Sequence, residues 1–201
     1  AKARWGLDKS LPEQYLIYVG NLLTGDLGTS FRTKQPVAQD LLERLPATLE
    51  LVIAAMILGS TSGIAFGVLA ARFRDRAVDH GARVWALVGS STPVFWSGLI
   101  LLYIFSVVLG WLPGPGRLDA RATAPQGLTG FLTIDALLTG DMDLFWDALH
   151  HLILPAAVLG WTVMGIVLRL VRASMLDVLS QDYITAARAR GAGGARAACA
   201  S

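Results

Sequence analysis

The chain has 201 residues, 54% hydrophobic and 16% charged, with a net charge of +2 and a mean hydropathy of +0.53; this balance excludes an ordinary soluble domain and indicates a membrane chain. A single cysteine, Cys199, excludes a disulfide framework and a cysteine-based metal site. The small net charge, scattered over loops, excludes nucleic acid as a partner.

The charges leave uncharged runs of 21, 33 and 21 residues between Glu50 and Arg72, Arg83 and Arg117, and Asp147 and Arg169. A helix of that shorter length is about 31 Å long and matches a bilayer core. Three transmembrane helices are therefore expected, at about 47–71, 83–110 and 148–168, in an all-α membrane protein.

In chain order, residues 1–46 read as an amphipathic segment. Leu16, Ile17, Leu22 and Leu23 fall at helical spacing, and Gly20, Gly25 and Gly28 interrupt them. A second amphipathic piece, VAQDLLERL, leads to Pro46, which suits a helix start because its missing N–H would have no partner there. The first span carries Gly59, Gly63 and Gly67 at intervals of four, with Ser60 and Ser62 beside them. In lipid, such a face without side chains lets helix backbones pack closely. Glu50 is expected in the first helical turn, where the helix dipole favours a carboxylate.

The second span contains GSSTPVFW. Pro93 leaves an upstream carbonyl unpaired, and Ser90, Ser91 and Thr92 can satisfy a kinked backbone. A kink beside a polar patch makes Ser90, Ser91, Thr92 and Pro93 candidates for a transport pathway. The connector 110–147 begins with GWLPGPG and includes GLTGFLTIDALL, too short to span and expected at the surface or re-entrant. Trp111 and Trp146 are placed as interfacial anchors. His150 and His151 beside Asp147 resemble half a metal site without a fourth ligand, so no metal site is expected.

The third span carries Pro155 and continues into RLVRASMLDVLSQDYITAARARG. Here Ser180 reads as an N-cap, Asp182 as a first-turn acid and Gly191 as a stop, defining a short helix rich in alanine.

Orientation follows from the basic residues. Four of the twelve residues 72–83 are Arg, whereas 110–148 holds two basic and five acidic residues. The positive-inside bias thus places 72–83 and 169–201 in the cytoplasm, and 1–46 and 110–147 outside. An external segment 1–46 without a leader implies an earlier transmembrane helix before Ala1.

Several stretches together carry a family resemblance: GNLLTGDLGTSFRT (20–33), RLPATLEL (44–51), STPVFWSGL (91–99), LGWLPGPGR (109–117) and HLILPAAVLGWTVMGIVLRLVRASMLDVLSQDYITAARARG (151–191). In this order they resemble the inner-membrane permease subunits of bacterial ATP-binding-cassette importers, in the dipeptide/oligopeptide and nickel branch. The resemblance implies a type I importer fold of six helices. The three spans would be its second to fourth, so the chain is expected to be a fragment, with 44–201 a partial permease domain.

The resemblance also implies a multi-pass protein of the bacterial inner membrane. Its coupling helix would dock on the ATPase through Asp182, Tyr183, Thr185, Ala186, Ala187 and Gly191, with Thr185 where the family's signature has Glu. The implied partners are a homologous second permease subunit, ATP-binding-cassette ATPase subunits and an extracytoplasmic substrate-binding protein. ATP and magnesium would belong to the ATPase, since the chain has no GxxxxGK[ST] loop; no cofactor of its own is expected.

After Gly191 the tail AGGARAACAS departs from the family pattern and reads as a frameshift or assembly break. The residues admit two other readings: a membrane-embedded enzyme using His150, His151 and Asp147, or a secondary-transporter half with Glu50 as its proton site. The cargo stays open among a dipeptide, a longer peptide, a glutathione-like compound and a nickel chelate.

Overall fold

The computed structural model describes residues 10–119, 122 and 129–181. These are helices joined by turns, with one isolated bridge between Thr29 and Pro36. The chain divides into two compact units, Ala1–Thr48 and Leu49–Ser201.

In the first unit, α1 spans Leu11–Leu23. Its start is set by Ser10, whose N–H and hydroxyl both donate to Glu13 at 3.2 and 3.0 Å, with Pro12 in the first turn, where it needs no N–H partner. Gly20 lies inside this helix and does not interrupt it. Gly25 and Gly28 take φ of 85° and 79°, the left-handed region open to glycine, and turn the chain back. No residue of α1 is buried within its unit.

Helix α2 spans Val37–Arg72, longer at its start than the expected 47–71. Pro46 lies inside the helix, not at its first turn. The amphipathic piece before it is itself helical, and Thr33 and Asp40 bond across the true N-terminus. The ladder therefore runs past Pro46 with the loss of one N–H.

In the second unit, α3 spans Ala77–Ser91, α4 Val94–Leu102, followed by a π-helical turn Tyr103–Val108; α5 spans Leu132–Thr139 and α6 Met142–Leu179. Among the described residues two helices, α2 and α6, are long and apolar enough to cross a membrane alone. The expected second span is instead a bent pair, α3 with α4 and its π turn, meeting at 105°. Among the described residues a third crossing exists only if that pair is one broken span.

Helix α6, with 38 residues, is about 57 Å long and exceeds a bilayer core of about 30 Å. It runs through Pro155 and continues beyond the expected end at 168. A tight turn sets its start: Gly140 closes α5 at φ 74°, and Asp141 accepts the Leu144 N–H at 3.0 Å.

Helices α3, α4 and α5 all pack on α6. On another face, α2 meets α6 through its small residues, with Ala55, Gly59, Gly63 and Gly67 buried. A Cβ added at Gly59 would stand 2.6 Å from the Gly160 carbonyl oxygen, and one at Gly63 or Gly67 would stand 2.7 or 2.8 Å from the Cβ of Val167 or Val171. Gly165 lies as close to α3, where an added Cβ would meet the Ala86 carbonyl at 2.8 Å. The large exposed side chains, such as Ile57, Leu87, Leu99 and Val107, point away from these seams, as lipid-facing residues do.

Gly63→Val forces a branched side chain into the α2–α6 seam and should destabilise the protein by about 1–3 kcal/mol. Thermal unfolding in detergent measures this. Gly81→Ala in α3, where an added Cβ meets nothing within 4 Å, should be neutral or stabilising by up to about 1 kcal/mol.

Candidate functional site

The break between α3 and α4 is built by the residues singled out in the sequence. Thr92 is extended, at φ −84° and ψ 132°, because the ring of Pro93 disfavours helical backbone before it. Pro93 then serves as the N-cap of α4. The Thr92 N–H and hydroxyl both donate to the Val88 carbonyl, at 3.0 and 2.7 Å, and the Ser90 hydroxyl donates to the Leu87 carbonyl at 3.2 Å. Past the break, the Ser97 hydroxyl donates to Val94 at 3.0 Å. These hydroxyls add second donors to carbonyls of the last turn of α3; the carbonyl that Pro93 leaves without its N–H partner is that of Gly89, which accepts the Thr162 hydroxyl of α6 at 3.5 Å, while Ser91 and Pro93 are exposed.

Below the break α3 is fixed to α6. Trp161 stacks on Trp85 with ring centroids 4.6 Å apart and donates Nε1–H to the Trp85 carbonyl at 3.2 Å. Its ring occupies the space above Gly89, where an added Cβ would stand 2.5 Å away.

At the start of α3, Asp79 is fully buried. Arg172 of α6 holds it with a two-pronged fork: Nε reaches Oδ1 and Nη2 reaches Oδ2, both at 2.7 Å. The Asp75 N–H donates to Oδ2 at 3.1 Å, and Arg83 Nε lies 3.4 Å from Oδ1. Asp75 stands at φ 61° in the corner between α2 and α3. One carboxylate therefore joins the corner, α3 and α6. Paired charged hydrogen bonds of this geometry are the strong ones. Neither residue stands out in the sequence, because both lie among charges that look solvated. A usable signal was present: Asp79 precedes Arg83 by one turn, and Arg172 sits just beyond an uncharged run.

A second carboxylate anchors the opposite part of this unit. Glu50 is not in a first helical turn, since α2 begins at Val37, so the helix dipole does not explain it. Its Oε1 accepts the Thr133 N–H at 2.9 Å and the Thr133 hydroxyl at 2.6 Å, while Arg117 Nη2 donates to Oε2 at 2.7 Å. Both oxygens are engaged, which suits an anchor for α5 and the connector and gives no support to a proton carrier. The apolar stretch around Asp135 forms α5 and buries Leu132, Asp135 and Ala136. Asp135 accepts the N–H groups of Thr129 and Gly130 and the Thr129 hydroxyl.

His151 Nδ1 lies 3.2 Å from Asp147 Oδ1, and the other oxygen of Asp147 accepts the Asp119 N–H at 2.8 Å. Among the described residues no group of three His, Cys, Asp or Glu is placed to hold a metal, so the enzyme reading gains no support. Trp111 and Trp146 are 65% and 62% exposed, free to face an interface. In the first unit, α1 and the turn after it enclose a hollow of about 130 Å³, lined by Ile17, Tyr18, Asp26 and Leu27 among others, well below the about 300–1,000 Å³ of ligand pockets.

The expected coupling residues, Asp182, Tyr183, Thr185, Ala186, Ala187 and Gly191, lie outside the described residues. Helix α6 runs to Leu179, just short of them. Ser180 closes α6: its backbone is helical, and its hydroxyl turns back to the Asp177 carbonyl at 2.8 Å; the helix expected after it lies outside the described residues.

Residues 63–199 match the family described as binding-protein-dependent transport system inner membrane component. The chain is 49% identical over 193 residues to the di/tripeptide transport system permease protein DppB of Pseudomonas aeruginosa (strain UCBPP-PA14), covering 96% of this chain and 57% of that one. It is 48% identical to the probable D,D-dipeptide transport system permease protein DdpB of Escherichia coli (strain K12), covering 92% of this chain and 55% of that one. The oligopeptide transport system permease protein AppB of Bacillus subtilis (strain 168) is 40% identical, with 94% and 54% covered. The chain thus spans a little over half the length of these curated relatives.

Glu50→Ala removes the acceptor that holds Arg117 and Thr133. Tryptic cleavage after Arg117 in the detergent-solubilised protein should then rise about tenfold, as the loss of a charged hydrogen bond worth about 1.5–3 kcal/mol implies. An unchanged cleavage rate would show that Glu50 does not hold the connector.

Proposed function

Because the chain belongs to the family of binding-protein-dependent transport inner-membrane components, we propose that it acts as a membrane-spanning permease subunit that imports dipeptides or short oligopeptides at the expense of ATP. One observation carries the reading: identity of 48–49% to two permeases named for di/tripeptide and D,D-dipeptide transport, over 92% of this chain or more. Likeness of that degree along nearly the whole chain supports a shared cargo class.

In this reading the subunit pairs with a homologous permease, and the translocation pathway runs between them. An extracytoplasmic binding protein delivers the peptide. A separate ATPase binds and hydrolyses ATP, with its own magnesium, and the permease pair opens in turn to either side. Asp182, Tyr183, Thr185, Ala186, Ala187 and Gly191 form the segment that docks on the ATPase. The small Ala186 and Ala187 and the terminal Gly191 suit a close, rigid contact, and the segment's place in the chain shortly after Leu179, the end of α6, suits it to pass its movement to a long continuous helix.

The break at Thr92–Pro93 is the natural place for the pathway to change shape. Thr92 is already extended there and Pro93 has no N–H to give, so α4 can reorient without breaking a continuous helical ladder.

Replacing Ala187 with Trp in the assembled importer tests the reading. Uptake of labelled dipeptide should fall to background while the subunit stays in the membrane in normal amount. Normal uptake by this variant would reject 182–191 as the docking segment.

A further inference from the structure

Asp79 and Arg172 form an ion pair whose position is not explained by stability. A buried pair of this kind can often be replaced by apolar residues without loss of stability. Its distinctive property is direction, since a fork of two parallel hydrogen bonds fixes one helix against another in position and in rotation.

Three features give that direction a use. First, Arg172 lies near the end of α6, two turns before Leu179, where the helix stops. Second, Asp79 binds the corner before α3 through the Asp75 N–H as well as α6 through Arg172. Third, the attachment of α3 to α6 continues upward through Ala86 against Gly165, Trp85 against Trp161, and Gly89 beneath the Trp161 ring. It reaches nearly to the break, where the helical ladder is interrupted at Thr92 and the direction turns by 105°. Helices α3 and α6 thus pack as one stiff pair that extends from Gln181, past the end of α6, to the break at Thr92–Pro93, where α3 ends.

We infer that the Asp79–Arg172 fork is a positioning pair that makes α3 follow α6, so that a displacement of the segment after Gln181 reaches the break at Thr92–Pro93. This rests on the reading of 182–191 as the ATPase-docking segment. The pair touches neither peptide nor nucleotide and acts through the helices it joins. Without the fork, α6 can shift or rotate against the base of α3, and part of the movement is lost before it reaches the break.

The test compares three variants of the assembled importer in proteoliposomes, reading the ATP hydrolysed per dipeptide imported. Asp79→Leu with Arg172→Met removes the fork and keeps an apolar contact. It should assemble in normal amount and raise the ratio by at least about fivefold, the lower end of ordinary coupling between sites. Arg172→Lys keeps the charge and loses the fork; it should also raise the ratio, and it decides the matter if the double variant does not assemble. Ala187→Trp tests the underlying reading separately. If Ala187→Trp uncouples transport while both fork variants keep the original ratio, the fork is only structural and the inference is overturned. If Ala187→Trp transports normally, the docking assignment fails and the inference falls with it.

Discussion

Everything in the second unit depends on how closely helices can approach α6. Lipid offers no hydrophobic drive between helices, so their association rests on van der Waals packing and hydrogen bonds, and both need close approach. Glycine supplies it on two sides of one helix: Gly160 admits the backbone of α2 near Ala55 and Gly59, and Gly165 admits α3 at Ala86. Five residues apart, these two positions differ by about 140° around the helix. Helix α6 therefore carries α2 on one side and α3 on another, and it is the longest helix among the described residues.

The polar groups follow from that arrangement. An ionisable side chain in such a bundle must be paired to be retained, and Glu50 and Asp79 each engage both carboxylate oxygens. They do different things. Glu50 reaches outward from α2 to α5 and Arg117 and fixes the connector between the bent pair and α5. Asp79 draws the α2–α3 corner onto α6. Between these anchors, among the described residues, the sharp interruption of the helices is at Thr92–Pro93, where α3 and α4 meet at 105°.

Legibility in the sequence depended on what each signal measures. The glycine interval of four marks a bare helix face, and Gly59, Gly63 and Gly67 all lie in the seam against α6. Absence of charge marks apolar solvent, so the uncharged runs located the apolar parts of α2, the bent pair and α6. It says nothing about helix ends, which are set by hydrogen bonds: α2 begins ahead of Pro46 because Thr33 and Asp40 close its N-terminus, and α6 runs past Pro155, with the loss of one N–H, to Leu179, where the Ser180 hydroxyl turns back to the Asp177 carbonyl. Pro93 announced a disturbance, but its 105° size depends on how α4 packs on α6, which is a tertiary property. Arg117, Thr133 and Arg172 were hidden for the same reason, since their partners are distant in the chain.

The central claim, that the α2 and α6 backbones lie in close contact at this seam, is tested most directly by disulfide trapping. An ideal Cβ on Gly160 stands 3.5 Å from the Leu58 Cβ, at the short end of the about 3.5–4.5 Å that a disulfide spans. In a Cys199→Ser background, Leu58→Cys with Gly160→Cys should oxidise to an intramolecular disulfide. The fragments released by trypsin at the Arg-rich connector 72–83 should then stay joined until a reductant is added. Ile57→Cys with Gly160→Cys, on a different face of α2, should leave the fragments free. Fragments that separate under oxidising conditions in the Leu58 pair as readily as in the Ile57 pair would contradict the claim.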